Sequence, residues 1–144
     1  MSTINALLDE MWESYISYTP SAAKIAKLFD EDIVNDHIAF RTLNLEACNI
    51  HKQANYLSKF GYRVGGDYYF EQKKLNAIHL ENENSNLPKI FLSELMLEKF
   101  SPELNDCFEN IINSIEISEK DLFMGGRSWD IDFEIYKKLS EESE

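Results

Sequence analysis

The sequence contains little cysteine, glycine and proline: two, five and three residues among 144. Cys48 and Cys107 stand singly, without the paired spacing of a zinc knuckle or a redox motif. A chain of this length, 44% apolar, can bury a core without disulfide or zinc cross-links. We therefore expect a reduced protein with one hydrophobic core.

Targeting and membrane segments are also missing. The start Met-Ser-Thr-Ile-Asn has no basic stretch followed by an apolar run. No window approaches the roughly 18 apolar residues of a membrane span. We expect a cytoplasmic protein without a membrane partner.

Basic residues are scarce, since 14 lysines and arginines face 26 acidic residues for a net charge of −12. This charge repels a phosphate backbone and argues against nucleic acid as a partner. It also means that an arginine on a buried face of so acidic a chain needs a partner, which makes Arg41 a residue of interest.

Motifs of phosphate and covalent chemistry are absent. Gly65-Gly66 and Gly125-Gly126 lack the flanking strand, spacing and lysine of a phosphate loop, so both are interpreted as turns. No serine lies in a nucleophile-elbow context, and neither cysteine has a histidine partner in sequence. Covalent hydrolysis is therefore not expected.

The hydrophobic pattern predicts an α+β domain over residues 1–144, with helices in 2–30, a βαβββ module in 33–96 and further helices in 101–140. Apolar spacings of three and four mark the helices, and alternation marks the strands. Ser101-Pro102-Glu103 has the residues of a helix start. The predicted extended segments are residues 34–43, 62–64, 68–71, 75–81 and 90–95, with a turn at 65–67.

The first strand has one mostly apolar face and one that can carry chemistry. His37 and Arg41 project to the same side, about 13 Å apart along the strand. Imidazole binds transition metals, and a guanidinium matches a carboxylate in a two-pronged hydrogen bond. The pair suits a metal ligand and a separate anchor for an anionic substrate, although such residues also form buried hydrogen-bonded pairs with acids.

Two further residues are candidates. His79 alternates with Ala77 and Glu81 on the third strand and faces the same cavity if the sheet curves around it, or is exposed at an edge. Glu94 interrupts an apolar strand, where its carboxylate is either a metal ligand or the partner of Arg41. Both interpretations place Glu94 in a polar cavity.

The run Val-Asn-Asp-His-Ile-Ala-Phe-Arg-Thr resembles the amino-terminal part of the 2-oxoadipate dioxygenase/decarboxylase family. Phe-Gly-Tyr, the Lys-Lys region before His79 and Pro-Lys-Ile-Phe-Leu-Ser-Glu-Leu extend the likeness. The resemblance implies a fold related to vicinal oxygen chelate proteins. It also implies a non-haem Fe(II) bound by two histidines and a glutamate. The implied activity is that of an enzyme of lysine catabolism that converts 2-oxoadipate and O2 to 2-hydroxyglutarate and CO2.

Position by position, the resemblance makes His37 a metal ligand and Arg41 the residue that holds a substrate carboxylate. His79 falls near the substrate pocket, and Glu94 stands at the end of the fourth strand, a customary ligand position in vicinal oxygen chelate modules. The likeness covers about the first half of the family's catalytic unit. The abrupt acidic ending favours a piece of a longer two-module unit over a homodimer with a shared site or a module without catalysis.

Two other functions fit the same residues. One is a glyoxalase-like lyase or isomerase that uses Ni(II), Zn(II) or Mn(II) in place of Fe(II). The other is a non-catalytic small-molecule-binding module, in which His37, Arg41 and Glu94 form a buried polar network. Oxygen consumption and metal content distinguish the three.

Overall fold

Two helices, separated only by Thr19, precede the sheet. The computed structural model describes residues 3–31, 33–124, 129–130 and 132–142. Helix α1 (Ile4–Tyr18) begins at Thr3, whose hydroxyl accepts a hydrogen bond from the Ala6 N–H. Helix α2 (Pro20–Ala26) starts with Pro20. Proline fits the first turn because the N–H group that it lacks would have no acceptor within the helix there.

The centre of the fold is a four-stranded mixed sheet in the predicted βαβββ order. Its elements are β1 (His37–Leu43), α3 (Ile50–Ser58), β2 (Tyr62–Phe70), β3 (Leu75–Asn82) and β4 (Lys89–Leu95). The strand order across the sheet is β1-β4-β3-β2. β1 pairs with β4 in parallel, and the other pairings are antiparallel. The predicted α+β class is confirmed.

Helices also follow the sheet, as predicted. Helix α4 (Pro102–Asn113) begins at Ser101, whose hydroxyl accepts a hydrogen bond from the Leu104 N–H at 3.2 Å. Helix α5 (Phe133–Ser140) comes last. The predicted break at Gly125-Gly126 lies outside the described residues. Within the part of the chain that the structure describes, no helix combines the length and apolarity needed to cross a bilayer.

Helices cover one face of the sheet and form the core there. α1, α3 and a short 3₁₀ turn at Asp121–Phe123 contribute apolar side chains, and Phe123 meets Phe40 edge-to-face at 5.3 Å between ring centres. The opposite face, called the open face below, carries His37, Arg41 and His79. The buried core cluster consists of Leu7, Ile50, Leu57, Tyr62, Ile78, Leu80, Ile90, Leu92 and Phe123.

The predicted turn at Gly65-Gly66 is wrong, because β2 runs continuously through it. A shift of register between Val64 and Gly66 makes a bulge opposite β3. A Cβ on Gly65 would lie 2.4 Å from His79 Nε2, and one on Gly66 would lie 3.0 Å from His79 Cε1. The two glycines therefore make room for an imidazole ring above the strand.

Candidate functional site

β1 presents His37, Ala39 and Arg41 on the open face, while Ile38 and Phe40 lie on the core side. The alternation in exposure along the strand confirms the predicted facing. Parallel pairing sets Ser93 of β4 beside Arg41. On the open face, side chains of β1 and β4 therefore lie side by side.

His37 is the exposed imidazole of this face. Its Nδ1 lies 3.0 Å from Asp36 Oδ2, and 69% of its side chain is exposed. Nε2 has no hydrogen-bond partner among the described residues. A carboxylate on one ring nitrogen favours a lone pair on the other, which is the arrangement common in metal-binding histidines. Asp36 was not named as a site residue from the sequence.

Arg41 has a hydroxyl as its hydrogen-bond partner and no acid. Its Nε donates to Ser93 Oγ at 3.3 Å, and the Ser93 hydroxyl donates to the Phe40 carbonyl at 3.2 Å. No described carboxylate forms an ion pair with the guanidinium. The rest of the guanidinium is free to bind an anion.

Arg41 also borders a cavity of about 440 Å³ with a marked excess of cations. Neither Lys73 nor Lys74 forms an ion pair with a carboxylate in the described ranges. The cavity lining thus has three cations and one carboxylate, Glu142, in a chain where acidic residues outnumber basic ones 26 to 14. This local excess of positive charge indicates an anion site. The full lining is Arg41, Gln72, Lys73, Lys74, Leu95, Phe100 and Glu142.

Lys73 and Lys74 were not named as site residues from the sequence. A signal was present, since two adjacent lysines in so acidic a chain precede a predicted strand. Their approach to Arg41 could not be inferred, because they reach it through the pairing of β3 with β4 and of β4 with β1.

His79 lies on the open face of an interior strand, so the interpretation that it is exposed at a sheet edge is wrong, and its ring is engaged with β2. Its Nδ1 is 2.9 Å from the Tyr68 hydroxyl, and its Nε2 is 3.5 Å from Glu81 Oε1. Glu81 also binds Lys89 at 2.9 Å, and that hydrogen bond lowers the pKa of the Glu81 carboxyl. His79 does not line the cavity beside Arg41. From strand spacings, its Cα lies about 12 Å from that of His37.

Glu94 is on the core side of the sheet, away from the other candidates. Its side chain is buried, and Oε2 accepts a hydrogen bond from the Ile50 N–H at 3.0 Å. Ser93, the preceding residue, faces Arg41, so alternation directs Glu94 the other way. The expectation that Glu94 shares a polar cavity with Arg41 is therefore wrong, and no described contact links Glu94 to His37.

The described residues do not make a complete metal site. Within them, no group of three or more histidine, cysteine, aspartate or glutamate residues is placed to hold a metal ion. An Fe(II) oxygenase needs three protein ligands with open positions for substrate. On the open face, His37 is one imidazole suited to a metal, and an Fe(II) site there would need further ligands.

Comparisons with known proteins identify the family. The family model for 2-oxoadipate dioxygenase/decarboxylase matches residues 1–143. The chloroplastic/amyloplastic 2-oxoadipate dioxygenase/decarboxylase of Oryza sativa subsp. japonica is 30% identical over 162 residues, covering 99% of this chain and 44% of the rice protein.

Solved structures show the same fold. A Shewanella frigidimarina protein, provisionally classed as a hydrolase, superposes with a TM-score of 0.91 at 41% identity, over 100% of this chain and 59% of that one. Oryza sativa hydroxyglutarate synthase, solved in complex with 2-oxoadipate, gives a TM-score of 0.79 at 24% identity, over 97% and 51%. The chain spans about half the length of these relatives. With a family match over 143 residues, the chain belongs to the 2-oxoadipate dioxygenase/decarboxylase family.

Proposed function

We propose that this chain is one module of a non-haem Fe(II)-dependent dioxygenase/decarboxylase that acts on a 2-oxo dicarboxylic acid such as 2-oxoadipate. O2 is the co-substrate, and the products are 2-hydroxyglutarate and CO2. The observation that carries the proposal is the placement of His37 and Arg41 on one open strand face, with Arg41 bordering a cation-lined cavity. Family membership supports the same reaction.

In this proposal His37 binds the metal through Nε2, while Asp36 holds the ring through Nδ1. Bound iron supplies the activation of O2 that the side chains cannot provide. Arg41 binds the distal carboxylate of the substrate, which its guanidinium can contact with two parallel hydrogen bonds. The serine hydroxyl at its Nε fixes the orientation of the guanidinium.

The remaining metal ligands are proposed to come from a second module of the same enzyme. Support comes from the length of the relatives, since this chain covers 44% of the rice protein, and from the missing three-donor group among the described residues. A second copy of the chain is the other source of a facing module. Either arrangement closes the open face and excludes water from the site.

The proposal is tested by metal content and oxygen uptake. The chain, together with the second module that supplies the remaining ligands, is purified without oxygen and reconstituted with Fe(II). Its metal content is measured by elemental mass spectrometry, and its activity with 2-oxoadipate is measured in an oxygen electrode. His37→Ala is compared with His51→Ala, which removes an exposed imidazole from α3. We expect iron and oxygen uptake to be lost in the first variant and kept in the second. Unchanged metal affinity in His37→Ala would contradict the proposal.

The assay also distinguishes the other functions. Conversion of a 2-oxo acid without oxygen uptake, in protein loaded with Ni(II), Zn(II) or Mn(II), would indicate a glyoxalase-like lyase or isomerase. A non-catalytic binding module is favoured by the absence of a three-donor group in the described part of the chain. Such a module would contain no stoichiometric metal, and a chelator would leave its Tm unchanged.

A further inference from the structure

Lys74 has an unusual backbone conformation. Its φ of 52° and ψ of 45° lie in the left-handed region, where glycine or asparagine is more easily accommodated. Two backbone hydrogen bonds hold it there: its N–H donates to the Glu71 carbonyl at 3.1 Å, and its carbonyl accepts from the Met96 N–H at 2.9 Å. Residues held in such sparsely populated conformations cluster at binding sites.

The Lys74 side chain is held in place at the cavity wall. Its Nζ lies 4.0 Å from the centre of the Phe100 ring, a cation–π contact that restricts a flexible side chain. Both residues line the cavity that Arg41 borders. The ammonium forms no direct ion pair with a described carboxylate, although its charge acts on the nearby Glu142. It can therefore still contact an anion in the cavity.

We propose that Lys74 is a second carboxylate-binding residue of this cavity, and that it acts with Arg41 on the same anion. A carboxylate has lone pairs enough for both a guanidinium and an ammonium. Arg41 provides directed hydrogen bonds and Lys74 provides a compact point charge. The identity of the anion as the distal end of a 2-oxo dicarboxylic acid rests on the proposed function.

A carboxylate of the chain itself already borders this cavity. Glu142 accepts hydrogen bonds from the Ser101 N–H and hydroxyl, at 2.5 Å and 2.7 Å. These bonds are the main cause of the lowered pKa of the Glu142 carboxyl, and the charge of Lys74 adds to the effect. The cavity wall therefore stabilises negative charge at the Glu142 carboxylate as well as in the space in front of Arg41.

The test uses binding without metal or oxygen, so that it is independent of catalysis. Hexanoate and its neutral analogue hexanamide are titrated into metal-free protein and followed by amide chemical shifts. Lys74→Met keeps an unbranched side chain against Phe100. Lys99→Met is the matched control, because it removes the same charge from a nearby exposed position that does not line the cavity.

We expect hexanoate to bind with shifts around Arg41 and Lys74, and Lys74→Met to raise its Kd roughly tenfold. Hexanamide binding should not change, and Lys99→Met should have little effect. Equal losses in the two variants, an equal loss for hexanamide, or no hexanoate binding at millimolar concentration would overturn the inference. If hexanoate binding depends on Lys74 but 2-oxoadipate drives no oxygen uptake, the proposed function fails and the carboxylate site stands.

Discussion

The Glu94 carboxylate lies at the amino-terminal end of α3 and accepts a hydrogen bond from the Ile50 N–H at 3.0 Å. The first N–H groups of a helix have no partner within the helix, and the helix dipole favours a negative charge beside them. Glu94 thus joins β4 to the crossover helix across the core. Its position explains an acid in an apolar strand without a metal.

Glu94→Ala should lower the free energy of unfolding by about 1–3 kcal/mol, because it leaves the buried Ile50 N–H unpaired. Glu94→Gln keeps an acceptor oxygen and should cost less. Urea denaturation measures both, and Fe(II) content is measured alongside. An alanine variant of unchanged stability that loses its metal would mean that Glu94 is a ligand after all.

Gly65→Ala should destabilise the protein through His79. The added Cβ would lie 2.4 Å from His79 Nε2, so the ring has to move and lose its contact with Tyr68. Overpacking of this kind costs about 1–3 kcal/mol. In a His79→Ala background the same change should cost much less. A double-mutant cycle measures the difference, and a cycle without coupling would contradict this account.

Tyr62 should give the protein an alkaline dependence of stability. Its buried hydroxyl donates to the Pro88 carbonyl at 2.8 Å, and burial raises its pKa from 10.0 to about 12. Because the folded state holds the proton more tightly, this contribution is complete below pH 10.0 and is lost as the pH rises toward about 12.

Tyr62→Phe tests this linkage. The variant should lose about 1 kcal/mol at neutral pH, since the Pro88 carbonyl loses its donor. Its stability should then fall less steeply than that of the wild type at alkaline pH. Chemical denaturation across the alkaline range measures both slopes. If stability fell equally with pH in the wild type and the variant, the ionisation of Tyr62 would not be coupled to folding.

Arg41→Lys should weaken hexanoate binding several-fold, and Arg41→Met should weaken it more, roughly tenfold to a hundredfold. Lysine keeps the charge but loses the planar fork and the Nε–H that meets Ser93. Arg63→Met is the control, because Arg63 is exposed on β2 and pairs with Glu83. A similar loss in Arg63→Met would indicate a general effect of net charge.

Glu142→Gln should strengthen hexanoate binding a few-fold. The change removes a negative charge from the cavity wall while it leaves an oxygen to accept from Ser101. Glu141→Gln carries the same change in net charge at the neighbouring exposed position, outside the cavity. Affinity that rises equally in both variants would show that the cavity does not sense Glu142 locally.

Local patterns in the sequence predicted most of the fold. Alternation in β1 assigned His37 and Arg41 to one face, and the Ser101-Pro102 pair identified the start of α4. Gly65-Gly66 was misinterpreted because paired glycines serve turns and bulges alike, and the deciding contact, His79, lies on another strand. Composition cannot distinguish these two uses.

The site was less predictable because it forms from distant parts of the chain. Lys74, Phe100 and Glu142 line one cavity with Arg41 only because separate elements pack together. For Glu94 the necessary information was present in the sequence. Residues two apart on a strand share a face, so Glu94 lies on the same side as the buried Ile90 and Leu92, which is the core side. The sequence-based interpretation placed Glu94 in a polar cavity because of its charge and did not use its position in the alternating pattern.

The parallel pairing of β1 with β4 has a consequence for the order in which the structure forms and opens. β2, β3 and β4 follow one another through short turns, whereas Arg41 meets Ser93 across a separation of 52 residues. Closing so long a loop costs entropy, so the hairpins can form first and β1 docks onto them. The strand that carries His37 and Arg41 is then the last to dock onto the sheet during folding and the first to detach during unfolding. Mild denaturation should therefore abolish hexanoate binding before the rest of the fold is lost.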